Sequence, residues 1–420
     1  MGRDCDLLVI GAAGQMTSVT VLALCRTQPE LRVMLADLDA DAVARLAARA
    51  APARVACARI DLFDPSALAR AVATADAVIN GAGPYHRTAA PVMRACLDAG
   101  ASYFDIDDDV ESTLQALELA DAARAAGVTL YVGHGASPGF TNVLARDVLD
   151  RLDVATDVEV AWCVGEQRGA ILGRAVAEHT MHIGAGDFTG WRDGHRVTRA
   201  SFAADAVFPL APPLGDYRLF ECAHPEPVML GHSFPQLRDA ICWGGLHPAP
   251  LNGIVRGLAT AVRAGRLSMD EACRFLQAVS AGGAGSWRGW YHALGGVWRQ
   301  WREGRVAAGE VLRYARAAIG GGGPPPASGI GARPRRARRA GVRGRRPRPC
   351  RGAQGADAMA ALTGLSAATF FQLAREQRAP AGVAFAETWV APERFYASLN
   401  THLRTLGAAV TVETTERLGE

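Results

Sequence analysis

The chain has 420 residues, 49% of them hydrophobic, enough for two or three domains with sizeable cores. No apolar run approaches the roughly 18 to 20 residues of a membrane span, which argues against a transmembrane helix. Its formal net charge of +3 misleads: all 45 basic residues are Arg, and removing the ten between Arg333 and Arg351 leaves about −7, which excludes a global basic surface for nucleic acid. The 9 cysteines contain no Cys-x-x-Cys pair, favouring reduced, buried thiols over disulfides or zinc, so no metal is expected. Met1–Gly2–Arg3–Asp4 leads straight into an apolar run without the stretch a signal peptide needs, and a cytoplasmic location is expected.

The first apolar run, Leu7–Leu8–Val9–Ile10, enters Gly11–Ala12–Ala13–Gly14–Gln15–Met16–Thr17, and a second ends at Ala36–Asp37. Strand, glycine turn, helix and a strand closing on a carboxylate describe a dinucleotide site. Gly11 and Gly14 let backbone N–H groups approach a pyrophosphate at a helix N-terminus, and Ala12, Ala13, Gln15 and Met16 complete the cradle. The third glycine of the usual fingerprint is absent, Thr17 standing in its place. Asp37 can accept hydrogen bonds from both ribose hydroxyls and would repel a 2′-phosphate, so NAD is expected, with NADP as the alternative.

Further strands are predicted at about 32–36, 54–60, 77–80, 102–106 and 129–132, with Ala-rich helices between them, among them Asp39 to Ala51 and Asp109 to Ala126. This alternation requires crossover connections and hence a parallel, doubly wound α/β sheet of Rossmann type. Ligands bind beyond the carboxyl ends of such strands. Those ends carry Asp37, Asp61, Asn80, Gly81, Gly83, Pro84, Tyr85, Asp105 to Asp109, and Gly133 to Asn142.

The stretches Asp76 to Tyr85, Cys96 to Asp105 and Gly133–His134–Gly135–Ala136–Ser137–Pro138–Gly139–Phe140–Thr141–Asn142 together resemble the saccharopine dehydrogenase family, which includes saccharopine reductases, lysine 6-dehydrogenases and carboxynorspermidine dehydrogenases. The resemblance returns in Ala361 to Ala368 and from Gly382–Val383 to Pro392–Glu393. It implies a Rossmann domain interrupted by a second α/β domain that supplies the substrate pocket and often a dimer surface, with reversible hydride transfer at a carbon bearing nitrogen. In that frame Gly83–Pro84–Tyr85 and Ser137–Pro138–Gly139 flank the nicotinamide, and Tyr85 falls where saccharopine-forming members carry a tyrosine near the substrate. Those members read Gly-Leu-Asp-Pro-Gly where this chain has Gly135 to Gly139, so a hydroxyl replaces a carboxylate and the substrate does not carry over.

Within this frame the expected division is a dinucleotide domain over 1–145, a substrate and dimerisation domain over 146–319, a disordered segment over 320–355, and a segment over 356–420 that returns to the first domain. Tyr85, His134 and Asp109, in that order, are the candidates for substrate contact or proton transfer. The carboxylates at 105 and 107–109 suit an ammonium group or a general acid, against the simpler reading of a helix cap, for which Asp109 is best placed. Glu178–His179–Thr180–Met181–His182 lacks a third ligand for zinc, and a helix over 173–184 facing the pocket is the better reading. Trp287, Trp290, Trp298 and Trp301 interleave with arginines at helical spacing, which favours a core or subunit interface over nucleic acid or membrane. From Gly320 to Gly355 an Arg/Pro/Gly-rich run has too few large apolar residues to offset the entropy of ordering, so disorder is expected; its origin is a genuine insertion or two compensating frame errors, and a basic arm for nucleic acid is the functional alternative.

The reading is an NAD(P)-dependent oxidoreductase, a homodimer acting on a small amino acid, imine or amine, with no nucleic-acid or membrane partner. The rival is a non-catalytic dinucleotide-binding regulator.

Overall fold

The computed structural model describes residues 3–50, 54–165, 172–320, 327–338, 347–355, 359–405 and 410–418. They form two compact units, one of residues 1–147, 232–234 and 360–410, the other of 148–231, 235–359 and 411–420.

The first unit opens with β1 (Cys5–Ile10), α1 (Gln15–Thr27), β2 (Val33–Asp37), α2 (Ala40–Arg49), β3 (Val55–Arg59), α3 (Pro65–Val72), β4 (Ala75–Asn80), α4 (Tyr85–Ala99), β5 (Ser102–Asp105), α5 (Val110–Glu118), α6 (Ala120–Ala126), β6 (Thr129–Tyr131) and α7 (Phe140–Leu149). The strands pair in parallel. Leu7, Leu8 and Val9 of β1 are fully buried, as a central strand covered on both faces requires. Asp39 caps α2 by accepting from Ala42 N at 2.9 Å, and Asp64 caps α3 with Pro65 in its first turn, which explains where both helices start. The helix expected from Asp109 to Ala126 breaks at Leu119 into α5 and α6.

The second unit contains β7 (Val154–Gly165), α8 (Arg174–Ile183), β8 (Asp187–Arg192), β9 (His195–Ala200), β10 (Asp205–Pro209), β11 (Asp216–Glu221), α9 (Glu226–Ser233), β12 (Asp239–His247), α10 (Pro250–Arg263), α11 (Met269–Ser280), α12 (Trp287–Arg302), α13 (Ala308–Gly320), β13 (Gly329–Arg338) and β14 (Pro347–Gly355). One face of its mixed sheet buries Phe208, Leu219, Ile241 and Trp243. The helices α8, α10, α11 and α12 enclose a separate core around Met181, Leu258, Phe275 and Val297.

The expected disorder over 320–355 is corrected by this sheet. Residues 329–338 pair antiparallel with β7, Ile330 opposite Trp162 and Ala332 opposite Val160, both fully buried. The apolar residues are few but fall at alternate positions, on the sheet face opposite Phe208 and Ile241. Arg333, on the sheet face that carries Phe208, pairs with buried Glu159 at 2.5 Å and lies over the Phe208 ring, so ladder hydrogen bonds and a charge pair order a segment whose composition argues against it. Residues 321–326 and 339–346 of the expected arm lie outside the described residues.

The chain then forms α14 (Met359–Glu376), β15 (Gly382–Ala384), α15 (Ala386–Trp389), α16 (Pro392–Thr405) and β16 (Val410–Leu418). β15 adds to the edge of the first sheet beside β6, completing seven strands in the order β15-β6-β5-β4-β1-β2-β3, while β16 joins the second sheet next to β14. Thr20 Oγ1 of α1 donates to Gly364 O of α14 at 3.0 Å, fastening the returning segment to the first helix.

Candidate active site

The glycine turn lies between the carboxyl ends of β1 and β4. Gly11 has a φ of +69°, and a Cβ there would stand 2.7 Å from Ala82 N, so both conformation and space demand glycine. Ala12 N donates to Ala36 O at 3.1 Å and Ala13 N to Asp37 Oδ2 at 3.1 Å. Gly14 forms the N-cap of α1 with no side-chain cap, and the first turn, which includes Gln15 and Met16, carries no acidic residue. A helix N-terminus with its donors uncapped, opening from a glycine cradle, fits a pyrophosphate.

Asp37 has a second duty. Besides Ala13 N it accepts from Asp39 N at 3.3 Å, so the carboxylate orders the turn. The parallel register of β2 and β3 also sets Arg59 directly opposite Asp37, on the same face of the sheet. A cation therefore stands beside the carboxylate on which the expectation of NAD rested. The pairing joins residues 22 apart in the chain, and nothing local announced it. Asp61, in the turn after β3, is exposed and accepts from Phe63 N at 2.9 Å.

Beyond β4 and β5 lies a network of buried acids. Asn80 Oδ1 accepts from Ala82 N at 3.2 Å, shaping the turn that carries Gly81, Gly83 and Pro84, and its amide donates to Tyr103 OH at 3.4 Å. Tyr103 OH donates in turn to Asp105 Oδ2 at 2.6 Å, while Gly133 N donates to Asp105 Oδ1 at 2.7 Å. Asp105 thus ties β5 to the end of β6, and burial pushes its carboxyl up to about 6. Asp107, raised by burial and by Asp105 and Asp109 beside it, accepts from Ser112 Oγ and from Asp109 N.

Asp109 stands at the N-cap of α5, but its side chain makes no cap hydrogen bond. Its carboxylate turns instead to His86, accepting from the backbone N–H at 3.0 Å and lying 3.3 Å from Nδ1. The capping expectation is corrected accordingly. Tyr85 opens α4 and is 7% exposed; burial, then the nearby aspartates 105, 108, 107 and 109, holds its phenol protonated well above its usual range. It can donate a hydrogen bond and is a poor base.

His134 is corrected as well. Its Nε2 accepts from Trp389 Nε1 at 3.1 Å, its ring meets Tyr131 and Phe370 edge-on, and burial lowers its pKa to about 3. The ring is thus enclosed by aromatic side chains with its Nε2 occupied, a setting that suits packing more than proton transfer. The loop of Ser137, Pro138 and Gly139 is held by Asn142, whose Oδ1 accepts from Gly139 N at 3.1 Å and whose amide donates to Glu387 Oε2 at 2.9 Å. Glu387, buried and also bonded by Ser233 Oγ at 2.7 Å, escaped the sequence reading because it lies 245 residues beyond Asn142.

In the second unit, the His179 ring lies edge-on to His224 at 6.0 Å. Trp290 packs against Phe275 in the helical core, whereas Trp287, Trp298 and Trp301 are 78%, 54% and 49% exposed. Among the described residues, no helix is long and apolar enough to cross a membrane.

Comparison with known proteins adds three findings. Residues 7–131 match a family model described as the saccharopine dehydrogenase NADP binding domain. A trans-acting enoyl reductase of Mycobacterium leprae is 26% identical over 186 residues, a match covering 42% of this chain and 44% of that protein, so the chain spans less than half of this relative's length. Apo saccharopine dehydrogenase (L-Glu forming) from Saccharomyces cerevisiae shares the fold, with a TM-score of 0.57 and 14% identity over 98% of this chain and all of that one.

Proposed function

Since the chain belongs, through residues 7–131, to the saccharopine dehydrogenase family, we propose that it is a nicotinamide-dependent oxidoreductase acting on a small amine or imine. When bound, the nicotinamide supplies or accepts the hydride. The observation that carries the substrate class is the carboxylate cluster around Asp109. Buried acids at the carboxyl edge of the sheet favour a cationic ammonium or iminium over a neutral or anionic substrate. Asp109 and His86 are positioned to hold that cation or exchange its proton, and Tyr85 to donate a hydrogen bond; Ser137, Pro138 and Gly139 shape the pocket wall.

The cofactor proposed is NADP in preference to NAD. Asp37 is engaged with two backbone amides, and Arg59 beside it offers a cation to a 2′-phosphate. Asp61 and Asn80 complete the nucleotide side of the cleft.

A second reading, reduction of a carbon–carbon double bond, is favoured by the similarity to the enoyl reductase. Calorimetric titration with NADPH and NADH, followed by turnover assays on paired imine-forming amines and enoyl thioesters, separates these. NADPH oxidation with the amine and keto-acid pairs supports the reading, oxidation with enoyl thioesters alone replaces it, and binding without turnover on either favours a regulator.

The chain is further proposed to form a homodimer through α12. Trp287, Tyr291, Leu294, Trp298 and Trp301 are about half to three-quarters exposed and recur at the four-three spacing of a helix–helix seam, narrower than a core-facing or membrane-facing stripe. Aromatic side chains of this size and exposure offer roughly the 800 Å² per partner of a standard interface. The seam is nearly symmetric about Leu294, so an antiparallel copy sets Trp287 against Trp301. Sedimentation of Trp298→Glu should show monomers where the unaltered protein shows dimers.

A further inference from the structure

Two thiols, an imidazole and a carboxylate meet in the interior of the second unit. The antiparallel register of β11 and β12 pairs Phe220 with Gly244 and Glu221 with Trp243, so one step further sets Cys222 against Cys242. The Cys242 thiol lies within hydrogen-bonding range of both Cys222 and Glu226. His224 Nδ1 is 3.0 Å from Glu226 Oε2, and a ligand atom from each of His224, Glu226 and Cys242 lies within 4.8 Å of the others. Cys222, Glu226 and Cys242 are 0% exposed and His224 3%.

We propose that Cys222, His224, Glu226 and Cys242 form a buried site for a zinc-class divalent cation. The physical reason is charge. An ionised carboxylate removed from water is costly unless paired or metal-bound, and a divalent cation offsets Glu226 together with thiolates formed as Cys222 and Cys242 release their protons to solvent. Two sulfurs, one nitrogen and one oxygen match the tetrahedral preference of zinc, while magnesium and calcium take oxygen ligands and would leave the sulfurs unused. Ligand atoms in a tetrahedral zinc site stand roughly 3.3 to 3.8 Å apart, so His224, Glu226 and Cys242, already within 4.8 Å of one another, need to close by about 1 to 1.5 Å. The His224 ring is already oriented by Trp162, whose ring lies 5.0 Å away.

The cation would clamp the turn between β11 and α9 onto β12. The role is structural: four protein ligands leave no open coordination position.

The test is the metal content of the full-length protein expressed in zinc-supplemented medium and exhaustively dialysed. About one equivalent of zinc is expected, and after its removal cobalt(II) should restore a thiolate-to-cobalt charge-transfer band. Cys242→Ser should lose the cobalt band, while Cys163→Ser, altering a buried thiol of β7, should keep it. If Cys242→Ser does not fold, the zinc content and cobalt spectrum of the unaltered protein decide. Folded protein carrying less than a tenth of an equivalent and taking up no cobalt would overturn the proposal, as would a Cys222–Cys242 disulfide in freshly purified protein.

Discussion

Thr17 fits in α1 only because Gly81 has no side chain: a Cβ on Gly81 would lie 2.1 Å from Thr17 Oγ1 and 2.9 Å from Thr17 Cβ. The usual dinucleotide turn places a glycine where Thr17 stands, so that helix and strand pack closely. Here the missing space is provided across the cleft by the residue after β4. Gly81→Ala should therefore destabilise the fold by about 1 to 3 kcal/mol, because a β-branched side chain cannot rotate away. Thr17→Gly should rescue most of that loss. Urea unfolding of both single variants and the double variant measures the coupling, and additive losses would refute the contact.

The role of Gly14 is separable from folding. Its φ of −57° tolerates a side chain, and the nearest atom to an added Cβ is Gly11 O at 3.1 Å, a contact a slight shift relieves. That Cβ would nevertheless occupy space at the helix N-terminus. Gly14→Val should weaken dinucleotide binding by at least tenfold, some 1.4 kcal/mol, with the Tm of the cofactor-free protein nearly unchanged. Unchanged affinity in calorimetry would make the turn purely structural.

Arg59 should set cofactor preference. Arg59→Ala is expected to reduce NADPH affinity by about tenfold or more while leaving NADH affinity within about twofold, since only a 2′-phosphate presents a charge to the guanidinium. Asp37→Ser should loosen the turn and weaken both. Equal effects of Arg59→Ala on the two cofactors would return the preference to the Asp37 reading and hence to NAD.

The His134 contribution to the stability of the first unit should fall in acid. Its folded pKa of about 3 lies below the ordinary 6.5, so the unfolded chain takes up the proton first. The contribution is full above about pH 6.5 and is lost as pH falls toward 3, by up to about 1.4 kcal/mol per pH unit. Asp105 works in the opposite sense: with a folded pKa of about 6 against 3.8, it favours the folded state most at low pH and loses that contribution as pH rises through 6. Because the two oppose each other between pH 6.5 and 4.5, His134→Phe should gain in urea midpoint relative to the unaltered protein as the pH is lowered across that range. A slope equal to that of the unaltered protein would show that His134 titrates in the folded state.

The parts of this protein legible in its sequence are those whose physics is local. Strand–turn–helix periodicity from Leu7 to Asp37, and the Asp39 and Asp64 caps, depend on residues within a turn or two of one another, and they specify a parallel dinucleotide-binding sheet without reference to the rest of the chain. Tertiary structure decided what depends on distant partners. Strand register set Arg59 beside Asp37; packing turned Asp109 from its helix to His86, and the aromatic cage around His134 enclosed its ring. The segment at 329–338 makes the same point: its composition predicts disorder, but the open edge of β7 and the carboxylate of Glu159 supply hydrogen bonds and a counter-charge that lie some 170 residues away along the chain and directly alongside in space.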